Sequence, residues 1–84
     1  MDEAIEYRGF KITARVKRLL NGRFRAEHIV TPMNDRAMRA TGGVPRLCSA
    51  AEVKADRGDP EAAALRTTLE ASKAFVDVLY ETER

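Results

Sequence analysis

The sequence predicts an α+β fold in which a three-stranded antiparallel sheet packs against one long C-terminal helix. Two consecutive segments, residues 10–17 and 24–30, alternate apolar and polar side chains, which is the period of a strand with one face in water. Residues 62–79 instead repeat apolar side chains at the spacing of a helix. A chain of 84 residues has room for a single domain with a limited core, so we expect these elements to share it.

The first two strands are predicted to form a hairpin over about residues 5–31. Asn21-Gly22 favours a two-residue turn, but that turn would place Val16 opposite Glu27 and bury the carboxylate on the apolar face. Burying an unpaired charge costs more free energy than any turn type gains. A loop of three or five residues, with Gly22 at positive φ, places Val16 beside Ala26 instead. We therefore expect the longer loop.

This register predicts a basic outer face on the hairpin, with Glu27 opposite Arg15 as its one acidic partner. The cations on that face are Lys11, Arg15, Lys17, Arg23 and Arg25. Five cations on a two-stranded ribbon could contact phosphates, which makes nucleic-acid binding one candidate function. Phe10 and Phe24 are expected to point into the core, so the outer face offers no ring on which a base could stack.

The middle of the chain gives weaker signals. Residues 32–46 mix Pro, Gly and Asn without either period and are predicted to be a mobile loop. Residues 47–55 fit a third strand, although Ser49 followed by Glu52 is a capping-box pattern that could open a short helix. We favour the strand, because a two-stranded hairpin alone is barely stable in water.

The helix is predicted over about residues 60–81. Asp59, Pro60 and Glu61 supply an N-cap, a proline at the first helical position and an acid in the first turn. The stripe expected to face the sheet consists of Ala62, Leu65, Leu69, Ser72, Val76 and Leu79.

The apolar arc of this helix is wider than one small sheet needs, because it also includes Ala71, Phe75 and Val78. Either the loop covers this flank with Met33, Met38 and Val44, or a second copy of the chain packs there. Ala71, Phe75 and Val78 are therefore the candidate protein interface, and an open strand edge of the sheet is the alternative.

No catalytic, cofactor or metal motif stands out. The single His28 lies on the core-facing phase, where a buried, hydrogen-bonded histidine is expected rather than a general base or a ligand. The single Cys48 excludes an internal disulfide, and Gly42-Gly43 lacks the residues of a phosphate-binding loop. We therefore expect no enzyme activity, no cofactor, no metal ion and no small-molecule substrate.

The charge is unevenly distributed along the chain. Residues 1–48 carry ten Lys and Arg against five Asp and Glu, and residues 49–84 carry five against eight, so the two parts have net charges of +5 and −3. This asymmetry predicts a molecule with a basic side and an acidic side. The acidic start lacks the layout of a secretory signal, and no apolar run could cross a membrane, so we expect a cytoplasmic protein.

Three stretches, EYRGFKIT, NGRFRAEH and DPEAAALRTTLEASKAFVD, together resemble a loose group of small, stand-alone, uncharacterised proteobacterial proteins. The resemblance rests on Tyr7, Gly9, Gly22, Phe24, Pro60 and Phe75. It implies a β-β-β-α layout and supplies no active site. The polar segment from Asn34 to Arg46 departs from the pattern of the group.

These observations together indicate a non-enzymatic interaction module that binds a protein partner or a second copy of itself. Nucleic-acid binding through the basic outer face is the alternative.

Overall fold

The computed structural model describes residues 1–20, 22–53 and 60–82. The elements within them are β1 Asp2–Tyr7, β2 Phe10–Arg18, β3 Phe24–Pro32, α1 Asp35–Ala40, β4 Leu47–Val53 and α2 Pro60–Glu81. The strands form one antiparallel sheet in the order β1-β2-β3-β4. The α+β class, the antiparallel sheet and the C-terminal helix are therefore as predicted.

The hairpin of β2 and β3 has the predicted register. Val16 lies opposite Ala26, and Ile12 lies opposite Val30, so the apolar side chains of both strands share one face. The Leu19 amide donates a hydrogen bond to the carbonyl oxygen of Arg23 at 2.8 Å, which closes the loop. Gly22 has a φ of +79°, as the longer loop requires. The avoidance of a buried carboxylate therefore decides the pairing, against the local preference of Asn-Gly for a two-residue turn.

The prediction of three strands is wrong, because β1 adds a fourth strand before the hairpin. It pairs with β2 from Asp2 opposite Arg15 to Tyr7 opposite Phe10. Only two residues, Arg8 and Gly9, connect the strands, and both have positive φ, as a type I′ turn requires. The segment is acidic and lacks the clear alternation of apolar and polar side chains that predicts the other strands.

The predicted loop over residues 32–46 is wrong in its first part. Strand β3 continues to Pro32, and α1 forms a short helix at Asp35–Ala40. Asn34 caps α1 because its side-chain oxygen accepts a hydrogen bond from the Ala37 amide at 2.8 Å.

The segment predicted to be either a strand or a short helix is a strand, β4, over Leu47–Val53. The remaining residues of that prediction, 54 and 55, lie outside the described residues, and so does the predicted cap Asp59. Helix α2 begins at the predicted proline.

The core lies between α2 and the inner face of the sheet. Its buried side chains include Phe10, Ile12, Ala14, Val16, Phe24, Ala26 and Val30 from the sheet, and Ala64, Leu65, Leu69, Ser72 and Val76 from α2. Helix α2 packs against β2 and β3, less against β1, and hardly reaches β4. The helix therefore presents the predicted stripe to the sheet but leaves one edge strand uncovered.

Candidate functional site

Strand β4 is an open edge of the sheet. It pairs with β3 alone among the described elements, so the backbone groups on its other side have no strand beside them. The five central residues from Cys48 to Glu52 are exposed, and they are small apart from one carboxylate. An edge strand with so little charge is available to pair with another extended chain.

A groove runs along the inner face of β4, beside α2. We name it the β4 groove. It is lined by Ala26, His28, Leu47, Cys48, Ser49, Ala50, Ala51, Val53, Thr67, Thr68, Ala71 and Phe75. Mainly apolar atoms line its part beside Ala51 and Ala71. The groove exists because α2 lies over β2 and β3, so no other described element covers the inner side chains of β4.

The structure places two of the three predicted interface residues in the β4 groove. Ala71 is exposed and Phe75 is half-buried, and both line the groove opposite β4. Val78 is 51% exposed and is not among the lining residues. Of the loop residues expected to cover this flank, Met33 and Val44 are exposed and Met38 is half-buried. The helix flank and the open strand edge, which were alternatives on the sequence, are therefore neighbouring parts of one surface.

His28 lies between the core and the β4 groove. Its Nδ1 is 2.6 Å from Oγ of the buried Ser72, and the Ser72 hydroxyl donates its one proton to the carbonyl oxygen of Thr68 at 2.8 Å. Nδ1 must then carry a proton and donate to Ser72, which fixes the tautomer of the neutral ring. Burial lowers the pKa of His28. The histidine is therefore half-buried and hydrogen-bonded, close to the structural role expected for it.

The five predicted cations are all exposed on the outer face or at its end, but they do not form a purely basic surface. Three of them have acidic partners: Arg15 with Asp2 at 4.0 Å, Arg23 with Glu52 at 3.6 Å, and Arg25 with Glu27 at 2.9 Å. Lys11 faces the strand position of Glu6. Although Glu27 lies opposite Arg15 in the sheet, its carboxylate forms an ion pair with Arg25, and Arg15 pairs with Asp2.

The expectation of a single acidic partner on the outer face is wrong because both edge strands contribute acids. Strand β1 supplies Asp2 and Glu6, and β4 supplies Glu52 opposite Arg25. Exposed ion pairs of this kind contribute little to stability, but they do reduce the positive potential of the face.

A second polar cluster ties the first turn to the end of α2. The Tyr7 hydroxyl and the Arg8 guanidinium both donate to the Asp77 carboxylate, at 2.9 and 2.7 Å. Arg8 first, and then Tyr7, lower the pKa of Asp77, whereas the hydrogen bond to Asp77 raises the pKa of Tyr7. These groups satisfy one another, so the cluster has the character of a structural clamp.

Within residues 1–20, 22–53 and 60–82, no three metal-ligating side chains converge, and no helix is long and apolar enough to cross a membrane. The chain matches no protein-family model, no curated protein and no solved structure. The function must therefore be inferred from the geometry of the surface. The sequence pattern indicated the α2 flank, but His28, Ser49, Ala51 and Thr67 could be assigned to the groove only once the position of α2 over the sheet was known.

Proposed function

We propose that the protein is a non-enzymatic interaction module that binds another polypeptide at the β4 edge and the β4 groove. One observation carries this proposal: within the described residues, an almost uncharged edge strand has no neighbour on its outer side and borders an apolar groove that α2 does not cover. The backbone of β4 offers hydrogen bonds to an added strand, and the groove offers a place for its alternate side chains.

The contrast between the two edges supports the choice of β4. Strand β1 carries Asp2, Glu3 and Glu6, a density of charge that discourages pairing with a further strand. Strand β4 carries Glu52 as its one charged residue, near one end. The sheet is therefore protected at one edge and open at the other.

The test is NMR mapping of the isotope-labelled chain against a bacterial lysate treated with nuclease. Binding at the proposed site shifts or broadens the amide signals of Cys48 to Ala51 and those of Ala71 and Phe75. Ser49→Lys introduces a charge at the centre of the edge and removes this response. Ala4→Lys, an exposed position on β1, is the matched control and retains it. A response that Ser49→Lys leaves unchanged contradicts the proposal.

Nucleic-acid binding is the second candidate, and the observation that favours it is the exposure of Lys11, Arg15, Lys17, Arg23 and Arg25 around one face. The acids of β1 and β4 on the same face weaken the case. A fluorescence titration with duplex DNA and RNA at low salt tests it. Binding that reversal of charge at Arg15 and Arg25 removes would support it, and binding that survives this reversal, or no binding, excludes this face.

A further inference from the structure

We propose that the polypeptide that docks on β4 is a second copy of this chain, paired antiparallel about a two-fold axis through Ser49. This inference rests on the proposed function and names its partner. Two copies joined in this way share one continuous sheet of eight described strands, and the two α2 helices lie on the same side of it. The β4 grooves of the two copies then meet at the axis.

The symmetry restricts how two copies of β4 can pair. A two-fold axis that makes two strands antiparallel neighbours in one sheet is perpendicular to that sheet, so inner side chains face inner side chains. Ser49 and Ala51 are inner residues, because they lie opposite His28 and the buried Ala26 of β3. The axis then passes midway between the two copies of one residue, which lie opposite each other. Each choice of that residue gives a different register.

Charge complementarity selects the register. With the axis at Ser49, Arg46 of each copy lies opposite Glu52 of the other, and Cys48 lies opposite Ala50. With the axis at Ala50, Glu52 lies opposite Cys48 and Arg46 gains no acid. With the axis at Cys48, Arg46 lies opposite Ala50. Only the register about Ser49 joins the two opposite charges, and the symmetry forms that pair twice.

The positions of both charged groups in the monomer suit this pairing. Arg46 immediately precedes β4 and lines the same outer depression as Arg25 and Cys48, so its side chain is on the outer face. Glu52 is on the outer face as well, where it lies 3.6 Å from Arg23 with about half of its side chain in solvent. In the dimer, Glu52 lies between Arg23 of its own copy and Arg46 of the second copy.

The size of the contact sets the expected strength. A pairing over residues 46–52 at a strand edge, with groove contacts beside it, is expected to bury less than the ~1,200 Å² at which standard interfaces begin. We therefore expect a reversible dimer that forms over the range from about 10 µM to about 1 mM.

Charge exchange tests the partner and the register together, with sedimentation equilibrium as the measurement. Arg46→Glu alone and Glu52→Arg alone each place like charges opposite each other at two symmetric positions, and each is expected to weaken dimerisation about tenfold. The double variant Arg46→Glu/Glu52→Arg restores the opposite charges and is expected to dimerise within about threefold of the original chain. Within one chain the two positions are at opposite ends of β4, so an intramolecular pair cannot cause this rescue.

Arg39→Glu on the exposed face of α1 makes the same change of net charge as Arg46→Glu and is expected to leave the dimer unchanged. A chain that stays monomeric up to about 1 mM overturns the inference, and so does a double variant no better than the single variants. If the chain is monomeric but Ser49→Lys still removes the response to nuclease-treated lysate, the second copy is the wrong partner while the proposed function stands. If neither dimer nor response depends on β4, both fail.

Discussion

Arg8 and Gly9 turn the chain from β1 into β2 with two residues, and both have positive φ, +49° and +82°. The conformation is unfavourable for arginine, so other contacts must hold it. The Arg8 guanidinium binds Asp77 at 2.7 Å and lies 4.6 Å from the centre of the Tyr80 ring, and the Tyr80 hydroxyl donates to the Arg8 carbonyl. The C-terminal turns of α2 therefore stabilise the first turn of the sheet.

Gly9→Ala is expected to lower the free energy of unfolding by about 2 kcal/mol. Alanine at position 9 would have to adopt a positive φ, and its methyl group would come within 2.6 Å of the side-chain nitrogen Nδ2 of Asn34. Asn34 cannot move freely, because its side chain caps α1. Gly22→Ala is the control: its φ is also positive, but the space is open, so it should cost about 1 kcal/mol. Equal losses in denaturant unfolding would contradict the contact.

His28 is expected to make the stability of the fold depend on pH in the mildly acidic range. Its pKa is lowered in the folded chain by burial, so the unfolded chain takes up the proton first as the pH falls. Stability is then fully present above the unfolded pKa of about 6.5, falls as the pH drops through the lowered pKa, and levels off below it.

Denaturant unfolding of the original chain and of His28→Gln between pH 4.5 and about 8 measures this dependence. The variant should lose the slope that His28 causes just below a pH of about 6.5, where carboxylates contribute little. Because His28 is the single histidine, its imidazole NMR signal reports the pKa directly. A titration midpoint above about 6.5 would show that burial does not dominate.

At the scale of elements, the sequence predicted the hairpin register and the helix stripe but not the number of strands. The register could be predicted because the alternative pairing buries Glu27 beside Val16. Burying that carboxylate costs more free energy than any turn type gains. Strand β1 was missed because its inner positions include the exposed Glu3 and only two half-buried apolar residues, Ile5 and Tyr7. Its turn has arginine where asparagine or aspartate is usual.

The phase of α2 can be tested with two valines that lie two positions apart on the helix. Val76 is fully buried against the sheet, whereas Val78 is 51% exposed. Val76→Ala is expected to cost about 2 kcal/mol, the loss of transfer energy and of packing, and Val78→Ala less than about 0.5 kcal/mol. Thermal and denaturant unfolding measure both. Similar losses would mean that the helix presents a different face to the sheet.

Over the protein surface, the uneven charge of the sequence does not become a basic side and an acidic side on the sheet. Strand β1 brings Asp2 and Glu6 next to the cations of β2, and β4 brings Glu52 next to Arg23 and Arg25. Charge counted along the chain predicts a surface only when the order of the strands is known. The outer face is therefore mixed, and the surface that stands out is the edge of β4, whose one charged residue is Glu52.

The candidate site was predictable in part for the same reason. Helical periodicity gave the flank with Ala71 and Phe75, because it depends on local spacing alone. The groove depends on where α2 lies relative to four strands, and no local pattern contains that position. The phase of its strand predicts a core position for His28, and the groove beside it follows from the strand that α2 leaves uncovered.

The most direct test of the open β4 edge is amide hydrogen exchange of the chain in dilute and in concentrated solution. In an antiparallel edge strand, alternate amides point away from the neighbouring strand. We expect those amides between Leu47 and Ala51 to exchange quickly at about 10 µM and to become protected towards about 1 mM, while the edge amides of β1 stay unchanged. Slow exchange of the outward β4 amides at the lower concentration, or protection of the β1 edge instead, would contradict the open β4 edge. Fast exchange of the β4 amides at both concentrations would leave the edge open and contradict the second copy as its partner.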